Sequence, residues 1–279
     1  MIAIRKSSSL LCAAFAAALL AACGDDDNGN GFAQEPQEPP RADVNLDQLA
    51  GTWFGTFDDK VSVRTIEFTV DAAGVMTAVK LEGADQGLAG SITKATEVPR
   101  AFRFALTNSG GTQVAAGMMM VDPDGAHMLY LDEHSDFGVL QKGATELPTY
   151  ALTDIDGAWS GDTLQTAPGF ATFGHFDSSA QCAPTDPAPP DPTSQCTAMI
   201  GSVTRTITDV RMDDPAGRGR FISRFTNDPA VPPGDFAVMR VYLSPDKLFA
   251  AVWACNDFRP FAAGSPEDCD FSAWTKTQP

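Results

Sequence analysis

Leu49-Ala50-Gly51-Thr52-Trp53-Phe54-Gly55 returns 106 positions later as Ile155-Asp156-Gly157-Ala158-Trp159-Ser160-Gly161. Other stretches repeat with it. Asp122-Pro123-Asp124-Gly125 returns 122 positions on as Ser244-Pro245-Asp246-Lys247, and an apolar run follows each, Met128 to Leu131 and Phe249 to Val252. Asp136-Phe137 with Lys142 returns 134 positions on as Asp270-Phe271 with Lys276. Self-similarity of this kind marks two copies of one structural unit. The offset widens in two steps, so the second copy carries two insertions. One falls between Cys182 and Cys196, the other between Cys255 and Cys269.

Within each copy the apolar residues alternate over short runs, as they do in half-buried strands. Val75 to Leu81, Phe102 to Leu106 and Phe221 to Phe225 follow this pattern. Val61-Ser62-Val63 alternates on one parity and Ile66, Phe68 and Val70 on the other, which predicts a bulge near Arg64. Turn residues punctuate the runs at Ala72-Ala73-Gly74, Asn108-Ser109-Gly110-Gly111, Pro123-Asp124-Gly125 and Asp214-Pro215-Ala216-Gly217, which are the types that hairpins require. No stretch after residue 46 holds a helical period for more than about two turns. The expected fold is therefore all-β, with two tandem small antiparallel barrels of about eight strands each, between 51 and 143 and between 157 and 277.

The N-terminus has a separate job. Arg5 and Lys6 precede an apolar run from Leu10 to Ala22, which is of signal-peptide length and too short for a spanning helix. Leu20-Ala21-Ala22-Cys23 resembles the lipobox of bacterial lipoproteins. The resemblance implies that Cys23 is acylated and becomes the first residue of the mature chain. Residues 24–45 are acidic, glycine-rich and then proline-rich, and bury too little to offset their ordering entropy, so they read as a disordered tether. The organisation is thus signal peptide 1–22, anchor and tether 23–45, first repeat 46–147 and second repeat 148–279. Gly24, rather than an aspartate, follows Cys23, which points to the outer membrane of the cell envelope.

The chain has 19 basic and 36 acidic residues, a net charge of −17. Loss of the signal removes Arg5 and Lys6 and no acid, which takes the mature chain to −19. Nucleic acid is excluded as a partner, since phosphate binding needs a basic surface. Membrane attachment must come from acyl chains, because two or more anchor stably where one does so only marginally.

Four cysteines remain once Cys12 and Cys23 are set aside, an even number that reads as two disulfides in an oxidising compartment. A cysteine pair at the base of each inserted loop favours Cys182 with Cys196 and Cys255 with Cys269, each closing a loop worth about 3 kcal/mol in the chain-entropy model. A bridge between Cys196 and Cys255, which adjoin apparent strands, is the competing arrangement. The proline-rich run Ala183 to Pro192 is expected to be neither strand nor helix. No C-x-x-C spacing occurs and no histidine adjoins a cysteine pair, so neither metal nor cofactor is expected.

Gly51-Thr52-Trp53 and Gly157-Ala158-Trp159 resemble the G-x-W motif on the first strand of the calycins, the lipocalin-like and avidin-like barrels. In that group a basic residue on the closing strand lies across the tryptophan, and Lys142 and Lys276 stand at the matching places. The resemblance implies barrels closed by the pairs Trp53 with Lys142 and Trp159 with Lys276.

No G-x-S-x-G, phosphate loop or H-E-x-x-H occurs, and His127 reads as an exposed strand histidine. The acidic pair Asp58-Asp59 reads as turn chemistry. Consecutive Met118-Met119-Met120 point to both faces of a strand, so at least one should be internal. Phe258, Arg259 and Phe261 sit inside the second cysteine-flanked loop, either as a recognition tip or folded back over a barrel end. The sequence thus predicts a non-enzymatic binding or interaction lipoprotein with an unidentified partner. The alternatives are a carrier of a small apolar ligand in a barrel interior and an inhibitor of a cationic cell-wall hydrolase.

Overall fold

The computed structural model describes residues 43–277, apart from 60, 97, 134–135, 167–172, 189, 201–202, 215, 226–236 and 256–268. Cys23, the signal peptide and nearly all of the tether lie outside the described residues, as do Phe258, Arg259 and Phe261. The described chain forms two closed antiparallel β-barrels, each preceded by a short 3₁₀ turn, Leu46–Leu49 and Leu152–Ile155.

The first barrel comprises β1 (Gly51–Asp58), β2 (Val63–Val70), β3 (Val75–Leu81), β4 (Ala84–Asp85), β5 (Ala89–Lys94), β6 (Ala101–Thr107), β7 (Gln113–Val121), β8 (His127–Asp132) and β9 (Phe137–Lys142). Its strands run β2-β1-β9-β8-β7-β6-β5-β3, and pairing of β2 with β3 closes the ring; β4 only extends the edge of β3. The second barrel comprises β10 (Gly157–Thr166), β11 (Phe173–Asp186), β12 (Thr193–Ile200), β13 (Val203–Met212), β14 (Arg220–Phe225), β15 (Ala237–Leu243), β16 (Phe249–Cys255) and β17 (Cys269–Lys276), paired in sequence order and closed by β10 with β17. Among the described residues, closure leaves only the two-residue β4 at a sheet edge, too short for another chain to extend.

The three repeat offsets reappear in the hydrogen bonding. Trp53 Nε1 donates to Leu49 O and Trp159 Nε1 to Ile155 O, both at 2.8 Å. Lys142 N donates to Ala126 O and Lys276 N to Leu248 O, again both at 2.8 Å. Each bond in one copy maps onto the other when its residues are shifted by their own offsets.

The two barrels share a core. Met118, Met120, Leu129, Leu131, Phe137 and Val139 on the outward face of β7–β9 pack with Tyr242, Phe249, Ala251, Trp253, Phe271 and Ala273 on the outward face of β15–β17. Burial on both faces explains why all six residues of β8 are buried. Repeat-equivalent residues touch: His127 stacks on Phe249 with centroids 5.3 Å apart, and Phe137 meets Phe271 at 5.7 Å. Contact between equivalent positions is the mark of a two-fold arrangement, here within one chain.

This shared layer corrects one expectation. The parity switch before Ile66 is no bulge, since β1 and β2 pair without interruption from Gly51↔Val70 to Asp58↔Val63. Val63 belongs instead to the layer between the barrels, while Ile66, Phe68 and Val70 face the interior. The irregularity of β2 lies against β3, between Glu67 and Thr69, where Ala78 takes a positive φ of 54°. Met119 points inward, and its two neighbours point to the other barrel.

The first inserted loop needs a second correction. Ala183 to Asp186, expected outside any strand, continues β11, and the register shifts between Pro184 and Asp186. A bulge at this point tolerates a proline, which has no N–H to give the ladder. Cys182 is bonded to Cys196 directly across β11 and β12, and both sulfurs lie in the core of the second barrel. The backbone register of β16 and β17 likewise sets Cys255 opposite Cys269.

Candidate functional site

Each barrel is plugged at the end where its tryptophan lies. In the first, Lys142 pairs in register with Trp53, crosses Gly51 and donates its Nζ to Gln48 O at 2.8 Å. In the second, Lys276 pairs in register with Trp159, donates to Asp154 O at 2.9 Å, and its Nζ stands 5.2 Å from the indole centroid. A cation over an indole contributes about 0.5–1 kcal/mol at such a site. The lysines also satisfy carbonyls that a short 3₁₀ turn leaves without partners.

The opposite end of the first barrel carries a cavity of about 50 Å³. Phe68 and Met76 line its inner part, and Phe57, Leu106, Ala115 and Asp132 its outer part. One local feature opens it. Gly138 stands between Phe57 on β1 and Tyr130 on β8 in the cross-strand register. With no side chain there, the Tyr130 ring lies over Gly138, stacks on Phe57 at 6.1 Å and meets Phe104 edge-on at 6.4 Å. The same row in the second barrel reads Thr163, Ser272 and Val252, where Thr163 and Ser272 hydrogen-bond at 2.8 Å. Trp274 also fills the place that Leu140 holds in the first copy.

Tyr130 is 4% exposed, yet its hydroxyl has no hydrogen-bond partner among the described residues. Leaving a buried hydroxyl unpaired costs about 1–3 kcal/mol. Burial first, and then the nearby Asp132 and Asp136 carboxylates, push its pKa well above the ordinary tyrosine value. The group is therefore neutral and closed off from water.

Several buried ionisable groups join the barrels. Asp58, 2% exposed, accepts hydrogen bonds from the Tyr242 hydroxyl and from Arg220 and Arg240, both at 3.2 Å. Asp162 of the second barrel pairs with Arg100 of the first. His127 is 7% exposed, not an exposed strand residue, because the second barrel covers it. Its Nδ1 meets Asp122 and its Nε2 meets Asp246, each at 2.7 Å. Both ring nitrogens are thus taken, and one face of the ring is stacked on Phe249.

Burial works against the charge of His127, but the hydrogen bonds to Asp122 and Asp246 outweigh it and raise its pKa to about 9. For Asp246 burial is likewise outweighed, chiefly by the bond from His127, and its pKa falls to about 2. The histidine contribution is whole below its unfolded pKa of 6.5 and is lost as pH rises through about 9. It amounts to roughly 3 kcal/mol. Thermal melts should accordingly show stability falling between pH 7 and 10, and His127→Gln should lose most of that slope. An equal slope in the variant would show that the pair does not link protonation to folding.

Sequence reasoning placed Trp53, Lys142, Trp159 and Lys276 but missed Asp58, Tyr130 and His127. Asp58 looks like a turn residue beside Asp59, which does cap the following turn through Val61 N and Ser62 N. Only its outward parity on β1, shared with Phe54 and Thr56, could have shown that a second surface covers it. No group of three or more metal-ligating side chains occurs among the described residues.

No known family matches the sequence, and no curated protein does either. Among solved structures, the chain is similar to a protein of unknown function of the DUF3598 family from Nostoc punctiforme, at 11% identity over 84% of this chain and 99% of that one, with a TM-score of 0.36. It is also similar to a protein described as a putative outer membrane protein from Bacteroides fragilis, at 12% identity over 84% of this chain and 100% of that one, with a TM-score of 0.29.

Proposed function

We propose that the protein is a non-enzymatic binding lipoprotein of the bacterial cell envelope, held at the outer membrane by acyl chains on Cys23, and that its first barrel takes a small apolar ligand. The cavity at the unplugged end of that barrel carries the reading, because a filled core serves folding better than a void of this size. Its walls are apolar apart from Asp132, which suits enclosure of an apolar ligand more than chemistry upon it. The second barrel covers one face of the first and stiffens it.

The full chain, expressed in a bacterium and extracted in detergent, should begin at Cys23 with acyl mass on its N-terminal peptide. Native mass spectrometry should find a bound small molecule that Ala115→Phe, which fills the outer cavity, no longer carries. A chain that keeps residues 1–22, or one that binds no apolar compound at millimolar concentration, would overturn the corresponding half of the reading.

A further inference from the structure

We propose that the β3–β4 hairpin is a gate in the wall of the first barrel, hinged at Ala78 and latched at Glu82 by Arg218 of the second barrel. The inference rests on the reading of the first barrel as a binding site and names how a ligand enters it.

The wall is least bonded at this place. Toward β5, β3 forms only the pairs Val75↔Ser91 and Met76↔Gly90 among the described residues, and beyond them its partner is its own continuation, β4. The free half still lines the cavity through Val79, which is 2% exposed. Residues 82–87 are all exposed, so few apolar contacts hold the hairpin down, as in segments that open locally. Ala78, where the two halves of β3 meet, has a φ of 54°, a conformation that an alanine keeps only under constraint.

The latch accounts for an irregular residue at the tip. Glu82 and Gly83 take φ values of 50° and 75° between the paired Leu81 and Ala84, in a two-residue turn that favours asparagine before glycine. Glutamate suits the turn less well, but its side chain reaches further. Its Oε1 accepts hydrogen bonds from Thr65 N and Arg218 Nη1, both at 2.7 Å, and its Oε2 accepts one from Arg218 Nη2 at 3.2 Å. Arg218 Nη1 also donates to Val63 O at 2.6 Å. The second barrel thereby pins the tip of the hairpin to β2. The ion pair is partly exposed, so it holds the hairpin shut without locking it.

Size gives the gate a purpose. The cavity of about 50 Å³ is a third of the roughly 150 Å³ that accommodates benzene in an engineered core. A ligand as large as benzene needs the hairpin displaced, and its apparent affinity then scales with the open fraction.

Hydrogen exchange, with NMR titrations of xenon and of benzene, tests this in wild type, Arg218→Ala and Glu82→Asn. The asparagine improves the turn while removing the carboxylate, so it separates a latch from a turn residue. The amides of residues 82 and 86, bonded to Thr65 O and Val79 O, should lose about threefold in protection in both variants, the factor for a partly exposed ion pair. Those of β6 and β7 should keep theirs. Benzene affinity should rise by the same factor. Xenon, a single atom that needs no displacement of the hairpin, should perturb Met76 and Val79 equally in all three proteins. Unchanged protection at the hairpin, a loss spread over both barrels, or benzene affinity that does not follow exchange would overturn the gate, while xenon binding keeps the site. If neither xenon nor benzene perturbs the cavity, the binding site falls and the gate with it.

Discussion

Replacing Asp58 with alanine is expected to destabilise the whole molecule by about 3–5 kcal/mol, the range for breaking a buried ion pair by removing one partner. The carboxylate sits at the end of β1, beyond the last interior residue of that strand, and faces the second barrel. Two guanidinium groups and a phenol converge on it. Removing it takes from Arg220 and Arg240 the buried carboxylate they share. Arg220 keeps a weaker partner in Asp213 at 3.3 Å, and Arg240 keeps its place over Trp253 at 5.5 Å, which sets the loss nearer the lower bound than complete isolation would. Urea unfolding followed by tryptophan fluorescence checks this. Trp53 reports the first barrel, Trp159 and Trp274 the second and Trp253 the layer between them, so a single transition would show the barrels unfolding as one. A loss below about 1 kcal/mol would mean that water reaches the arginines and that the layer between the barrels is not dry. The triple replacement Asp58→Leu, Arg220→Met and Arg240→Met should recover much of the loss, because apolar residues of similar volume often match or exceed a buried ionic cluster.

The same cluster shows where reading a sequence stops. Repetition made the two-barrel fold legible, because equal offsets can only join equivalent places, and Trp53 with Lys142 was found through its echo in Trp159 with Lys276. Alternation gave the strands but not their outward partners. Val63, Met118 and Met120 are apolar on the face that a lone barrel would present to water, and period-two patterning cannot tell which of two faces is inside when both are covered. His127 and Asp58 were misread for that reason. Each is polar, each stands on an outward parity, and solvent is the default neighbour of such a residue until a second body is placed against it. The cavity was illegible for another reason. It depends on Gly138 lying between Phe57 and Tyr130, residues more than seventy positions apart at the extremes, and only register brings them into one row.

Register also explains the second glycine of each repeat, Gly55 and Gly161, whose replacement by alanine should have the largest effect of any single methyl group in the protein. A Cβ on Gly55 would lie 2.0 Å from Val139 O, and one on Gly161 would lie 1.8 Å from Ala273 O. Both obstacles are backbone of the closing strand, β9 or β17, so no rotamer change relieves them. Either the first and last strands part or the barrel distorts. Ordinary overpacking costs about 1–3 kcal/mol, and a clash with main chain at the seam belongs to the rare class above about 4 kcal/mol. Several interior glycines of the first barrel meet backbone closely, but at the equivalents of Gly117 and Gly138 the second barrel carries Met239 and Ser272. The glycine two residues after the tryptophan is kept in both, which marks it as a requirement of closure, where a strand must bend sharply. Gly55→Ala or Gly161→Ala should abolish the near-ultraviolet circular dichroism of the packed tryptophans or lower the Tm by more than about 10 °C. Gly83→Ala is the control: no atom lies within 4 Å of the added carbon and only its φ of 75° opposes the change, a cost of about 1 kcal/mol. Equal melting of the seam and control variants would mean that the barrels close without close contact between their first and last strands.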